Sequence, residues 1–224
     1  QSVRVMKPSA AFLEHTDSSS GIGNRLGKFI LASGLIWIIL ACLAQGVIKD
    51  GIGLWGPSMI QDIYGVDAGT ASFLLLFIPV MNFMGITLVG MIQRKRLLKE
   101  ETLVVIMMVL SVFILAGLRV FMGKSLAAGV LLLGGVSAVM YGVNTILLGV
   151  FPLRFARANR ASFVSGLLDF CSYVAAGLSS VFSGLVIQLG LGWNSVFLVW
   201  LVLTVMGIGA LGVFGWKYNR RQLQ

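Results

Sequence analysis

Charge is scarce in this 224-residue chain: only 11% of its residues are ionisable acids or bases, and it holds one histidine, two cysteines and four prolines. The histidine, His15, precedes the first long apolar run, so no apolar segment supplies a histidine-containing metal set or a serine–histidine pair. Cys42 and Cys171 lie in apolar stretches without CxxC or metal-ligand spacing and read as buried free thiols. No GxxxxGK[ST] phosphate cradle occurs. These absences argue against an enzyme and predict no metal and no cofactor. The start is no signal peptide either, because the apolar stretch opens only at Phe29 and runs too long.

What the chain has instead is grease: 58% hydrophobic residues, 28 glycines and a mean hydropathy of +0.95. A water-soluble core cannot absorb that much apolar surface. A helix needs about 20 apolar residues to cross a hydrocarbon layer roughly 30 Å thick, so the length allows six or seven crossings and no soluble catalytic domain. Apolar runs bounded by charge or turn residues predict six helices, Gly27 to Trp55, Gly69 to Ile92, Thr102 to Phe121, Ser125 to Val150, Ala161 to Leu189 and Asn194 to Trp216. The runs are continuous and lack the alternation of a barrel strand, and unpaired backbone groups are too costly in lipid for anything but helix or closed barrel. The expectation is therefore an all-α membrane protein: a loop segment over 1–26 whose preceding part is missing, a six-helix bundle over 27–216 and a tail over 217–224.

The formal charge of +9 reports topology and not a nucleic-acid partner. Arg4, Lys7, Arg25 and Lys28 precede the first helix, Arg94, Lys95, Arg96 and Lys99 follow the second, Arg154, Arg157 and Arg160 follow the fourth, and Lys217, Arg220 and Arg221 close the chain. All fall on one side, which the positive-inside rule makes the cytoplasm, with both termini there. Trp55, Trp193 and Trp216 near span ends fit the headgroup zone, and Arg119 is expected to snorkel. Small residues recur at Ala175, Ser179 and Ser183, at Ala176, Ser180 and Gly184, and at Gly207, Gly209, Gly212 and Gly215, the pattern of close helix packing or of bending.

Each polar group at membrane depth needs a reason, since a charge at a helix centre costs roughly 2.5–3.5 kcal/mol on insertion scales. Lys49, beside Asp50, has two readings: it snorkels to the outer headgroups, or it faces a polar cavity and holds an anion. Asp169 shares a helix face with Ser165 and Tyr173 and is either a structural carboxylate or one that couples solute to proton. Tyr141, Asn144 and Thr145 form an uncharged polar face on the fourth helix, and Asn82 follows Pro79 on the second.

The stretch Gln45 to Ile60, QGVIKDGIGLWGPSMI, resembles the seventh helix of organophosphate:phosphate antiporters of the major facilitator superfamily, the family of glycerol-phosphate and hexose-phosphate transporters. Pro152 to Trp193, with SGLLDFCSYVAAG and a closing GLGW, resembles the loop before the eleventh helix and that helix. Gly90 to Lys99, GMIQRKRLLK, is similar to the basic loop after the eighth helix but lacks its acidic residue and second glycine. The resemblance implies the second half of a twelve-helix fold, two inverted three-helix repeats, with an amino-terminal six-helix half as partner and the solute between the bundles near the midplane. It implies a secondary transporter of the bacterial inner membrane that moves a small polar, anionic or phosphorylated solute by alternating access. The phosphate-gripping basic position falls on Lys49, a point charge where those members carry a two-pronged arginine, and a substrate-reaching tyrosine falls on Tyr173. Gln45, Asn144, Tyr141 and Asp169 complete the expected solute site. The alternatives are a generic facilitator for sugar or drug-like solutes, and a non-transporting membrane sensor on a carrier scaffold.

Overall fold

A computed structural model describes residues 27–95 and 97–219. The expected loop over 1–26, with Arg4, Lys7 and Arg25, lies outside them, as do Arg96, Arg220 and Arg221. The chain divides into two units, one ending at Ile36 and one beginning at Trp37. In the first, residues 27–32 are helical and the helix then breaks at Ser33 and Gly34. A continuous first span from Gly27 is thus replaced by a helix that begins at Leu35.

The elements that follow are α1 (Leu35–Tyr64), α2 (Ala68–Leu75), α3 (Phe77–Arg94), α4 (Glu100–Phe121), α5 (Leu126–Asn144), a π-helical turn (Thr145–Val150), a 3-10 segment (Phe151–Ala158), α6 (Ala161–Gln188) and α7 (Gly192–Asn219). No strand occurs among the described residues. Among the described residues six helices are long and apolar enough to cross a membrane, α2 with α3 making the second and α5 with its two irregular turns the fourth. It is an all-α integral membrane protein. The last helix runs to Asn219, and its membrane-crossing stretch ends at Lys217.

α1 is 30 residues long, passes through Pro57 and so continues beyond Trp55, the expected end of the first helix. A proline costs its helix one N–H, and membrane helices tolerate that loss where packed neighbours re-satisfy the freed carbonyl. The helix stops instead at Gly65, which adopts φ +68° and returns its N–H to the Gln61 carbonyl at 2.8 Å. Asp67 then caps α2, its carboxylate accepting from the Thr70 hydroxyl at 2.6 Å and the Thr70 amide at 2.9 Å. The Thr70 hydroxyl, and after it the amide, hold the Asp67 carboxyl below the usual carboxylate range. A lowered folded value means the cap contributes above the ordinary carboxylate pKa and is lost as pH falls through the lowered one. Asp67→Ala is expected to lower the thermal midpoint in detergent slightly at neutral pH and not at all at strongly acid pH.

α5 packs against α3 and α4, and α4 packs in turn against α7. α1 and the fourth span are the most enclosed, and the second span is the most exposed. Side-chain bonds lock one end of the bundle. The Trp193 indole donates to Asp62 at 2.9 Å, Arg119 Nε donates to Asn194 at 2.9 Å, and the Tyr64 hydroxyl donates to the Ser125 carbonyl at 3.0 Å. At the other end Arg154 bridges Glu100 at 2.8 Å and also Glu101.

Several sequence expectations change here. Arg119, exposed near the end of α4, also binds a neighbouring helix through Asn194. Trp193 is buried, and Trp55, half-buried, donates to Ser180 on α6 at 3.2 Å, so both tie helices together; only Trp216, 66% exposed, stands clear of the bundle as a headgroup anchor would. Cys42 is buried, but Cys171 is only half so. Of the α7 glycines, Gly207 packs against Met108 and Ala44, while Gly209, Gly212 and Gly215 have no neighbour within 4 Å of an added Cβ.

Candidate functional site

On α1, Gln45 and Lys49 are one turn apart and share a face. Lys49 is buried, 7% exposed, and its Nζ stands 5.3 Å from the ring centre of Tyr141 on α5 and 5.3 Å from that of Tyr173 on α6. Both lie within the range over which an aromatic face attracts an ammonium. Nζ also meets Asp50 Oδ1 at 2.9 Å. Successive helix side chains leave the axis about 100° apart, which by itself separates the two. The four-carbon lysine stem turns back far enough to close that gap at the tips. Lys49 therefore folds into the bundle, and the outward-snorkelling reading does not describe it.

Beside the ammonium lies an uncharged cluster. Gln45 is wholly buried, and its Nε2 donates to Asn144 Oδ1 on α5 at 3.2 Å and to Ser172 Oγ on α6 at 3.4 Å. One amide thus ties three helices together. The close approach of α1 and α6 at this level depends on Gly46, where an added Cβ would stand 2.5 Å from the Ser172 carbonyl oxygen. Further along α6 the Trp55 indole reaches Ser180 and lies near Gly184, and Ser172, Ala175, Ala176, Ser179 and Ser183 on that helix are buried.

The α5 wall has its own irregularity. The Thr145 hydroxyl donates to the Tyr141 carbonyl at 3.0 Å, and the backbone passes from α to π geometry at Thr145 and to 3-10 geometry at Phe151, with Pro152 in its first turn. Tyr141 and Asn144 occupy the last regular turn before that change.

Five of the six residues expected at the site come together: Lys49, Tyr141 and Tyr173 around the ammonium, Gln45 and Asn144 in the adjoining cluster. Asp169 does not join them. It is partly exposed and has no side-chain hydrogen bond or ion pair among the described residues, and Ser165, expected to share a network with it, donates to the Leu148 carbonyl at 2.9 Å. Tyr173, 59% exposed, offers Lys49 its ring face. Two participants were missed, Ser172 and the pairing role of Asp50. Ser172 is the amino-terminal continuation of the small-residue stripe, which is the signal that points to it.

Two buried oxygens, Gln45 Oε1 and Asp50 Oδ2, have no hydrogen-bond partner among the described residues. Both are acceptors. A cleft of about 310 Å³ lies elsewhere, lined by Ile63, Arg119, Met122, Trp193, Asn194 and Phe197 among others, and includes none of the expected site residues. No group of three or more His, Cys, Asp or Glu side chains suited to a metal occurs among the described residues.

No family model, curated protein or solved structure matches the chain.

Proposed function

We propose that this chain is the carboxy-terminal six-helix bundle of a twelve-helix secondary transporter of the major facilitator type, two inverted three-helix repeats. In this reading it moves a small polar, anionic or phosphorylated solute by alternating access against an amino-terminal bundle, in a bacterial inner membrane with both termini cytoplasmic. The observation that carries the reading is Lys49: a buried ammonium between two tyrosine rings, the three side chains contributed by three helices of a bundle whose core is largely apolar. Ionised groups at membrane depth are rare and by default mark a pathway. Lys49 supplies the positive charge for the anion, Tyr173 and Tyr141 line it, and Gln45 with Asn144 holds the three walls in register.

The Lys49–Asp50 pair has no net charge, and this favours one second reading, a facilitator for uncharged polar solutes such as sugars. Labelling tests the shared premise, that the Tyr173 face borders a wet cleft. In a full-length protein with Cys42 and Cys171 replaced by alanine, Tyr173→Cys is expected to react with a membrane-impermeant thiol reagent. A thiol inert to that reagent but reactive to a lipid-soluble one would place this face against lipid and overturn both readings.

A further inference from the structure

We infer that Asp50 takes up a proton when Lys49 takes an anion, so that solute and proton occupy the site together; this rests on the anion-anchor reading of Lys49. The first observation is that the anchor is already engaged, with Nζ on Asp50 Oδ1 at 2.9 Å. An anion that binds Nζ must compete with Asp50. The side chains of Lys49 and Asp50 are only 8% and 19% exposed, and a buried carboxylate stripped of its partner is strongly disfavoured. The second observation is the pattern of unmet groups. Asp50 Oδ2 is a buried acceptor with no donor among the described residues, so when Nζ leaves Oδ1 for an anion neither carboxylate oxygen keeps a partner unless a proton bonds there.

Among the described residues Lys49 and Asp50 make no ion pair except with each other. From α5 the pair is faced by Tyr141 and from α6 by Tyr173, both neutral phenols, while α7 brings the indole of Trp200 against Gly51. Asp169, one turn before Tyr173, has no ion pair with Lys49. The step balances simply. The Nζ–Oδ1 contact opens, Nζ closes on the anion, and one proton from the aqueous phase bonds to a carboxylate oxygen of Asp50. The lysine keeps its charge, the aspartate loses its own, and the anion replaces it.

The test counts protons directly. A phosphate monoester has its second ionisation near pH 6, so glycerol phosphate at about pH 8 brings no proton of its own. Titration calorimetry of the purified full-length protein, in buffers of different ionisation heat, gives the protons taken up per ligand bound. The expected value is about one for the wild type and for Asp50→Glu, and none for Asp50→Asn, which still binds. Wild-type binding with no proton uptake overturns the Asp50 inference and leaves the anchor standing. Absence of wild-type binding, or binding that Lys49→Ala does not weaken, removes the anchor and this inference with it.

Discussion

Uptake of a phosphate monoester by the reconstituted full-length protein is expected to fall about 100-fold or more in Lys49→Ala, equivalent to about 3 kcal/mol for loss of a buried charge partner. Lys49→Arg should restore part of it, since a guanidinium keeps the charge and can stack on the tyrosine rings. The alanine variant carries a second burden, because it leaves the Asp50 carboxylate buried without its ion-pair partner. A control therefore removes both charges. Lys49→Ala with Asp50→Asn should melt close to the wild type and still fail to transport. Wild-type uptake in either variant would refute the anchor role.

A leucine at Gly46 is expected to part α1 from α6. The Cβ alone would stand 2.5 Å from both the Ser172 carbonyl oxygen and hydroxyl oxygen and 2.9 Å from its Cα, and a backbone cannot yield as a flexible side-chain tip does. Overpacking of this kind costs about 3 kcal/mol or more, which at roughly 2–4 °C per kcal/mol for a chain of this size lowers the melting midpoint by about 6–12 °C. The Gln45–Ser172 bond goes with it. Gly53→Leu on the same helix is the comparison, since its Cβ meets nothing within 4 Å, and its midpoint should stay within about 2 °C. Equal behaviour of the two variants would show that α1 and α6 do not approach closely at Gly46.

Hydropathy made the number and order of the spans legible, because a membrane-crossing helix needs a long apolar run and little else. Their ends were less so. Pro57 reads as a stop in any water-soluble helix, yet α1 continues past it to Tyr64, since packing and not local propensity decides. The turn after Val150 reads as a basic loop, but Arg154 finds Glu100 and Glu101 across the bundle and the chain there stays helical. At the site, residue types and one-turn spacings brought Lys49, Tyr141, Asn144 and Tyr173 into view, and the resemblance to the antiporters added Gln45. Sequence spacing fixes where a Cβ points but not where a long side chain ends, so the Lys49–Asp50 pair stayed hidden. Ser172 hid for a different reason: a serine among alanines and glycines looks like packing until Gln45 is seen beside it.

The irregular turns after Asn144 give the lysine's surroundings an uneven stiffness. In the π turn and the 3-10 segment behind it the amides reach for carbonyls at other than the usual spacing, whereas α6 runs unbroken for 28 residues. Deuterium should therefore enter residues 145–158 sooner than the middle of α6. Tyr141 thus stands one turn from backbone that exchanges early and Tyr173 within an unbroken rod, and when the ammonium changes partners the Tyr141 ring is expected to shift the more readily of the two.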